Sequence, residues 1–150
     1  MTERPLPFSP PLRILVTGSR MWDKPGLIHH VLDEAARDWC GEVVIVHGQC
    51  DPRDKLGKVV PWERALTYDD FLLGADWHAD RYAVARGWTR EPYRAKWDLY
   101  GNSAGHRRNA EMVALGANLC VGFPLGDSPG TRGCVGMALK AHIPVRTEEG

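Results

Sequence analysis

Short runs of branched apolar residues alternate with amphipathic stretches along most of the chain. The first run, residues 12–17, ends at Gly18, and the second, residues 42–47, ends at Gly48. Their near-continuous apolar character is typical of parallel strands that are covered on both faces. The whole pattern predicts strands at residues 12–17, 42–47, 89–93, 118–123 and 143–145.

Helical spacing of apolar residues fills the intervals between these strands. One helical face is shared by Ala75, Ala79, Tyr82 and Ala83, and Gly87 then follows as a typical C-terminal stop. The predicted helices cover residues 25–40, 74–86, 104–115 and 131–141. Strands that alternate with helices predict βαβ units. The expected fold is therefore α/β, with a doubly wound, mainly parallel sheet and helices on both faces.

The chain has 150 residues, a length that suits a single domain. We expect that domain to cover residues 12–147. Residues 1–11 contain four prolines and no apolar stretch of the kind found in secretory signals, so they are interpreted as an extended or disordered arm.

A stretch of 25 residues, 49–73, interrupts the alternation of strands and helices. A connection this long inside a compact domain is usually functional or disordered, and we interpret it as a flap inserted near the strand ends. Its second half, residues 62–73, predicts a helix with Trp62, Leu66 and Leu73 facing inward.

Composition narrows the classes of function. Lys plus Arg and Asp plus Glu each number 19, so the formal net charge is zero, which disfavours nucleic-acid binding despite a local basic group at Arg107, Arg108 and Arg132. No apolar run approaches the 18 residues of a transmembrane helix. The four cysteines are scattered, and without an export signal they are expected to be free thiols of a cytoplasmic protein.

Two glycine-containing turns after predicted strands are candidate anion sites, because open α/β sheets bind ligands beyond the carboxyl ends of their strands. The first turn is Gly18-Ser19-Arg20, and the second is Ser128-x-Gly130-Thr131 at the start of a predicted helix. Free backbone amides and the positive end of a helix dipole attract phosphate. Gly133 and Gly136, further along that helix, suggest close approach of its backbone to a ligand or to the sheet.

Further candidates lie on the other predicted helices. Arg108 supplies a counter-charge for an anion, and Asn109 holds a base or a loop carbonyl. Asp76 either stabilises a helix N-terminus or accepts a hydrogen bond from a sugar hydroxyl. Trp22 or Trp97 is a candidate for stacking on a base.

Two other constellations carry weaker signals. A metal site from Asp76, His78 and Asp80 is disfavoured, because acidic pairs on helices are usually only solvated, and no metal is predicted. His47 and Cys50 flank Gly48, but a nucleophilic pair needs an orienting third group, so an incidental thiol is the favoured interpretation.

Seven short motifs in order resemble a known family. They are Arg13–Arg20 with Trp22, His47-Gly48, Gly74-Ala75-Asp76, Trp97, Gly105–Asn109 with Met112, Phe123-Pro124, and Ser128-x-Gly130-Thr131. Over residues 12–145 the chain resembles the YspA-like (cpYpsA-related) SLOG family, which is Rossmann-like and grouped with LOG and DprA-type proteins. The resemblance implies binding of nucleotides or nucleotide-derived molecules. The resemblance and the position of the turns at the strand ends together give a set of candidate ligand-binding residues. They are Gly18, Ser19, Arg20, Trp22, Gly48, Gly74, Asp76, Trp97, Gly105, Arg108, Asn109, Pro124, Ser128, Gly130 and Thr131.

Two departures from the family pattern matter. Family members usually pass from the His-Gly turn to Gly-Ala-Asp within a few residues, where this chain has residues 49–73. LOG-type phosphoribohydrolases carry a Gly-Gly-x-Gly-Thr-x-x-Glu pattern, and the glutamate position is Cys134 here. The resemblance therefore supports a phosphate cradle but not that hydrolytic activity.

The leading hypothesis is a domain that binds a nucleotide-derived, phosphate-bearing small molecule, as a sensor, a sequestering protein or a processing module, with no cofactor. One alternative is an enzyme that hydrolyses the N-glycosidic bond of a nucleoside phosphate, with Asp76 as the catalytic carboxylate. Another is an adaptor that binds a partner protein through residues 51–73. A homodimer is expected by analogy with related Rossmann-like proteins alone.

Overall fold

The computed structural model describes residues 10–150, so most of the predicted N-terminal arm lies outside the described residues. The strands are β1 (Leu12–Gly18), β2 (Val43–His47), β3 (Thr89–Pro92), β4 (Leu119–Phe123) and β5 (Val145–Thr147). The helices are α1 (Pro25–Ala36), α2 (Trp62–Ala65), α3 (Ala75–Arg86), α4 (Trp97–Tyr100), α5 (Ala104–Ala114) and α6 (Pro129–Lys140).

These strands form one parallel sheet in the order β3-β2-β1-β4-β5. The prediction of a doubly wound parallel sheet is confirmed, and the order is that of a Rossmann-like fold. The chain builds outward from β1 to β2 and β3, then returns to the other side of β1 with β4. The strand order reverses between β1 and β4, and open α/β sheets bind their ligands in the crevice at such a point.

Helices cover both faces of the sheet because successive side chains of a strand point to opposite faces. Ile14 and Val16 pack in a core with buried residues of α1 and α3, whereas Leu15 packs in a second core with residues of α5 and α6. The predicted inner face of α3 is confirmed: its three alanines are buried, and Tyr82 is partly buried against the same core.

Residues 49–73 fold against the domain around a small core, in which Val60, Trp62, Ala65 and Leu72 pack with Trp77 of α3. The helix predicted over residues 62–73 is only the four residues of α2. Leu66 is 50% exposed, so its inward placement was wrong, whereas Trp62 and Leu73 are buried as expected. After α2 the chain returns to pair with Arg53, whose amide and carbonyl both bond Leu73, so the end of the predicted helix is extended backbone at this bridge.

Three smaller differences from the sequence prediction have local causes. The segment Trp97–Tyr100 forms a helix of one turn, too short for a periodic signal. Helix α6 begins earlier than expected, with Pro129 at its first turn, where a missing amide is tolerated. Strand β5 begins later, because Val145 is the residue that pairs with Cys120. Among the described residues, no helix has both the length and the apolar character needed to span a bilayer.

Candidate functional site

A cavity of about 460 Å³ opens at the carboxyl ends of β1 and β4, beside the reversal of strand order. We call it the main hollow. Ten of the candidate ligand-binding residues line it: Gly18, Ser19, Arg20, Gly48, Asp76, Arg108, Asn109, Ser128, Gly130 and Thr131. Both glycine-containing turns therefore face one cavity.

The turn after β1 is built by contacts within the protein. A Cβ at Gly18 would lie 2.4 Å from the Cβ of Ala75, so glycine is needed here for α3 to pack against β1. The amide of Ser19 donates to the carbonyl of Phe123 at 2.9 Å, which ties the ends of β1 and β4 together. That amide is therefore not available to an anion, contrary to expectation. The Ser19 hydroxyl oxygen accepts from the amide of Met21, and its own hydrogen can still be donated to a ligand.

The turn before α6 presents open amides to the main hollow. Ser128 has a φ of 35°, in the left-handed region, and its hydroxyl donates to the carbonyl of Leu125 and accepts from the Leu125 amide. Among the described residues no side chain caps α6, so the amides of Gly130 and Thr131 have no acceptor within the helix, and both residues line the cavity. The helix dipole adds roughly half a positive charge at this end. Ser128 thus supports the turn, and Gly130 and Thr131 lie at the cavity with backbone N–H groups that no carbonyl of the helix accepts.

Arg108, on α5, is held at the wall of the main hollow by three contacts. Its Nε donates to Asn109 Oδ1 at 2.8 Å, its Nη1 donates to the Gly48 carbonyl at 2.6 Å, and its Nη2 lies 3.8 Å from Cys50 Sγ. Asn109 Nδ2 donates to the Gly130 carbonyl at 3.3 Å, which links α5 to the start of α6. A guanidinium has five N–H groups, so two remain for a ligand.

Three candidate glycines have structural reasons for being glycine. A Cβ at Gly48 would lie 2.4 Å from Arg108 Nη1, and one at Gly105 would lie 3.3 Å from the ring of Trp97. Gly74 precedes α3 with a φ of 137°, a conformation that other residues rarely adopt. Gly74 and Gly105 do not line the main hollow. By contrast, a Cβ at Gly133 or Gly136 would meet no atom of the protein within 4 Å. The expected close approach of this helix backbone to the sheet was therefore wrong at both glycines.

Among the described residues, Asp76 is the one carboxylate that lines the main hollow. It sits in the first turn of α3 and is 5% exposed. Its Oδ2 accepts from the amide of Cys50 at 3.1 Å, and among the described residues no donor reaches Oδ1. The carboxylate therefore holds the start of the inserted segment through Oδ2, and its Oδ1 accepts no hydrogen bond from a described residue.

A second cavity of about 210 Å³, the side recess, adjoins the main hollow. Both cavities are lined by Arg20, Gly48, Cys50, Arg53 and Arg108. Arg94 and Trp97 complete the charged and aromatic parts of its wall. Sequence reasoning missed Arg53 and Arg94, because neither lies on a periodic element. The long insertion after β2 and the candidate Trp97 were the signals that pointed to this region.

Two candidates lie away from the main hollow for clear reasons. Trp22 is fully buried, contacts Phe123 edge to face, and donates through Nε1 to the carbonyl of Lys24, so its assignment as a base-stacking residue was wrong. Pro124 is buried after β4 and does not line the cavity. Trp97 is half exposed and borders the side recess, where the Arg20 guanidinium lies 6.0 Å from its ring centre.

The flanking His47 and Cys50 do not form a nucleophilic pair. His47 is fully buried; its Nδ1 accepts from the Gln49 amide at 3.0 Å, so its Nε2 donates to Asp80 Oδ1 at 2.8 Å. Burial and the nearby Asp76 raise the pKa of the Cys50 thiol to about 11, which keeps it protonated at neutral pH. The interpretation of Cys50 as an unreactive thiol is the one that the geometry supports.

The disfavoured metal constellation is dispersed in the structure. His78 Nε2 lies 2.7 Å from the Leu72 carbonyl, whereas Asp80 faces His47, Arg81 and Arg90. Burial alone would raise the pKa of Asp80, but hydrogen bonds from His47 and Arg81 outweigh burial and lower that pKa. Within residues 10–150, no three His, Cys, Asp or Glu side chains are grouped to hold a metal ion.

The main hollow carries an excess of positive charge. Its lining includes Arg20, Arg53 and Arg108, and none of the three forms an ion pair with any carboxylate of the described residues. Arg132, which also belongs to the expected basic group, is instead paired with Glu149. It also donates to two carbonyls of the loop before α6. Three guanidinium groups and the start of α6 thus oppose the single carboxylate of Asp76.

Comparison with known proteins shows the family to which the chain belongs. No protein-family model matches the chain, and no solved structure matches it. The chain is 37% identical over 134 residues to the Gene 61 protein of Mycobacterium phage D29, and the matched region covers 89% of this chain and 93% of that protein. The chain therefore belongs to the family of the Gene 61 protein of Mycobacterium phage D29.

Proposed function

We propose that this protein binds a nucleotide or a nucleotide-derived small molecule, with a phosphate in the main hollow. The observation that carries the proposal is the meeting of three unpaired arginines with the uncapped N-terminus of α6 in one cavity. Three guanidinium groups that share one carboxylate leave an excess of positive charge, and a bound phosphate of about −1.5 to −2 charge offsets that excess. The resemblance to the YspA-like SLOG family agrees with this function.

Each wall of the cavity has a role in the proposed complex. The amides of Gly130 and Thr131 donate to phosphate oxygens, as helix N-termini do. Arg108 donates its two remaining N–H groups to the same phosphate, and charge-assisted bonds of this kind are about twice as strong as neutral ones. The free Oδ1 of Asp76 accepts from a sugar hydroxyl. Trp97, at the edge of the side recess, is the aromatic surface on which a base would stack.

Calorimetry against nucleoside monophosphates, nucleoside diphosphates and ADP-ribose derivatives tests this proposal. We expect binding by at least one of these compounds, weakened at least ~10-fold in Arg108→Met, because a hydrogen bond with a charged group contributes about 1.5–3 kcal/mol. Thr131→Val should weaken binding as well, because it removes a hydroxyl donor from the wall of the main hollow.

The matched control for Arg108→Met is Arg107→Met. Arg107 is the neighbouring arginine on α5, but its guanidinium lies over the ring of Tyr100, 4.4 Å from its centre, and does not line the main hollow. This control should keep wild-type affinity. Absence of binding by all compounds, or equal losses in the two arginine variants, contradicts the proposed site.

A second candidate function, N-glycosidic hydrolysis of a nucleoside phosphate, is favoured by one observation. Asp76 is a buried carboxylate with a free oxygen in the main hollow, which is where an acid–base group for such a reaction would have to be. The position of the LOG-type glutamate is occupied by Cys134, which is fully buried in the core of β4 and α6. Release of free base from a nucleotide, abolished in Asp76→Asn, would establish hydrolysis; binding without release would leave the protein as a binding module.

A further inference from the structure

The side recess offers a place for a second anionic group of the same ligand. It shares five lining residues with the main hollow, so the two cavities form one continuous space. A molecule whose phosphate lies at the start of α6 can therefore extend past Arg108 toward the inserted segment.

The charges of the side recess match such a group. Four arginines line it, and Asp51 is its one carboxylate. Asp51 is already bound by Arg94, whose Nη1 and Nη2 donate to its two oxygens at 3.0 and 3.1 Å. Arg20, Arg53 and Arg108 are left without a carboxylate partner among the described residues.

The guanidinium of Arg53 has a buried N–H group without a hydrogen-bond acceptor among the described residues. Its Nε is the only buried side-chain nitrogen or oxygen without a hydrogen bond in the part of the chain that the structure describes. Buried polar groups are nearly always satisfied, and an exception calls for an explanation such as an absent ligand. Phosphate oxygens are strong acceptors for a guanidinium, whose planar fork matches their geometry.

The inserted segment holds Arg53 in this position. Backbone bridges join Arg53 to Val59 and to Leu73, and its Nη1 donates to the Gly57 carbonyl at 3.3 Å. The guanidinium is thus presented to both cavities by an ordered loop. This gives the insertion after β2 a specific task, which is to supply a cation at the junction of the two cavities.

We propose that the ligand carries two phosphate groups, as a nucleoside diphosphate or its ester does, with one phosphate at the start of α6 and the other between Arg53 and Arg20 in the side recess. This inference rests on the proposed function, because the first phosphate is the one assigned there. It adds the class of ligand and a role for the insertion.

The test compares nucleotides that differ by one phosphate. Calorimetry on the wild-type protein, without divalent metal, pairs AMP with ADP, GMP with GDP, CMP with CDP and UMP with UDP. We expect the diphosphate of the preferred nucleoside to bind at least ~10-fold more tightly than its monophosphate, which is the gain expected from one charge-assisted phosphate contact. This comparison needs no variant, so it remains decisive even where a substitution disturbs folding.

Variants then assign the gain to Arg53. Arg53→Met should reduce diphosphate affinity at least ~10-fold more than it reduces monophosphate affinity, so that the gain from the second phosphate is lost. The control is Arg64→Met, because Arg64 lies in the same insertion, is exposed, and lines neither cavity. It should change neither affinity.

The outcomes separate this inference from the proposed function. Binding of a monophosphate with no gain from the second phosphate overturns the inference alone. A gain that survives in Arg53→Met also overturns it, because the second phosphate then lies elsewhere. Binding of neither nucleotide of any pair overturns both the inference and the proposed function.

Discussion

Adding a single methyl group at Gly48 should disable the proposed phosphate site without unfolding the protein. A Cβ there would lie 2.4 Å from Arg108 Nη1 and 2.6 Å from Arg108 Cζ, both far too close. The obstructed atoms belong to the end of a flexible side chain, and the φ of Gly48 is not in the left-handed region. Gly48→Ala is therefore expected to fold, with the Arg108 guanidinium displaced from the cavity.

The size of the effect follows from the contacts that Arg108 loses. Its bond to the Gly48 carbonyl is 2.6 Å long, and a hydrogen bond with a charged group contributes about 1.5–3 kcal/mol. Displacement removes a contact of the same class to the phosphate, so nucleotide binding should weaken roughly 10- to 100-fold. Because Gly48→Ala acts through Arg108, the double variant Gly48→Ala with Arg108→Met should bind no more weakly than Arg108→Met alone.

The assay is a double-mutant cycle measured by calorimetry with AMP or ADP, with urea unfolding as the check on folding. Additive losses in affinity would refute the reasoning, because they would mean that Gly48 and Arg108 act independently. Retention of wild-type affinity by Gly48→Ala would refute it as well, since Arg108 would then not contribute from its observed position.

Three further predictions concern stability. Gly18→Ala should lower the free energy of unfolding by about 1–3 kcal/mol in urea titrations, because its Cβ would lie 2.4 Å from that of Ala75 between a strand and a helix that are both fixed; an unchanged midpoint would contradict this packing. Gly133→Ala should raise it by about 0.5–1 kcal/mol, since the site in α6 is open and alanine favours helix; a loss of stability would contradict that assignment. Burial lowers the pKa values of His29 and His78 in the folded protein, whereas in the unfolded chain both histidines titrate near 6.5. As the pH falls past 6.5, the unfolded chain therefore binds protons at these histidines more readily than the folded protein does. The free energy of unfolding should therefore fall as pH drops below about 7 toward the lowered pKa values, and His78→Gln should flatten this slope in unfolding curves from pH 7 to 5; an equal slope in the variant would contradict it.

The sheet could be predicted because buried parallel strands leave a strong signature in the sequence. The runs at residues 12–17, 42–47 and 118–123 are apolar almost throughout, since both faces of the sheet are covered. Their order along the chain, with helices between, then leaves few topologies open. The glycines that follow the strands marked the edge at which the cavity lies.

The residues of the cavity walls and the course of the inserted segment depend on tertiary contacts, which no pattern in the local sequence reports. Trp22 follows a strand end, as a ligand-stacking residue would, but the direction of its side chain is set by packing against Phe123. Leu66 continues a helical spacing, but α2 ends at Ala65 and the chain turns back to the bridge between Arg53 and Leu73. Arg53 itself reaches the cavity because of that bridge, so nothing in its neighbourhood in the sequence marked it.

The central claim is that separate turns bring their donors together around one phosphate, and amide chemical shifts test it residue by residue. In a titration of the ¹⁵N-labelled protein with AMP, the account predicts the largest shifts at the amides of Arg20, Gly130 and Thr131. Shifts concentrated on the opposite ends of α5 and α6, or no shifts near Gly130 at saturating nucleotide, would contradict it.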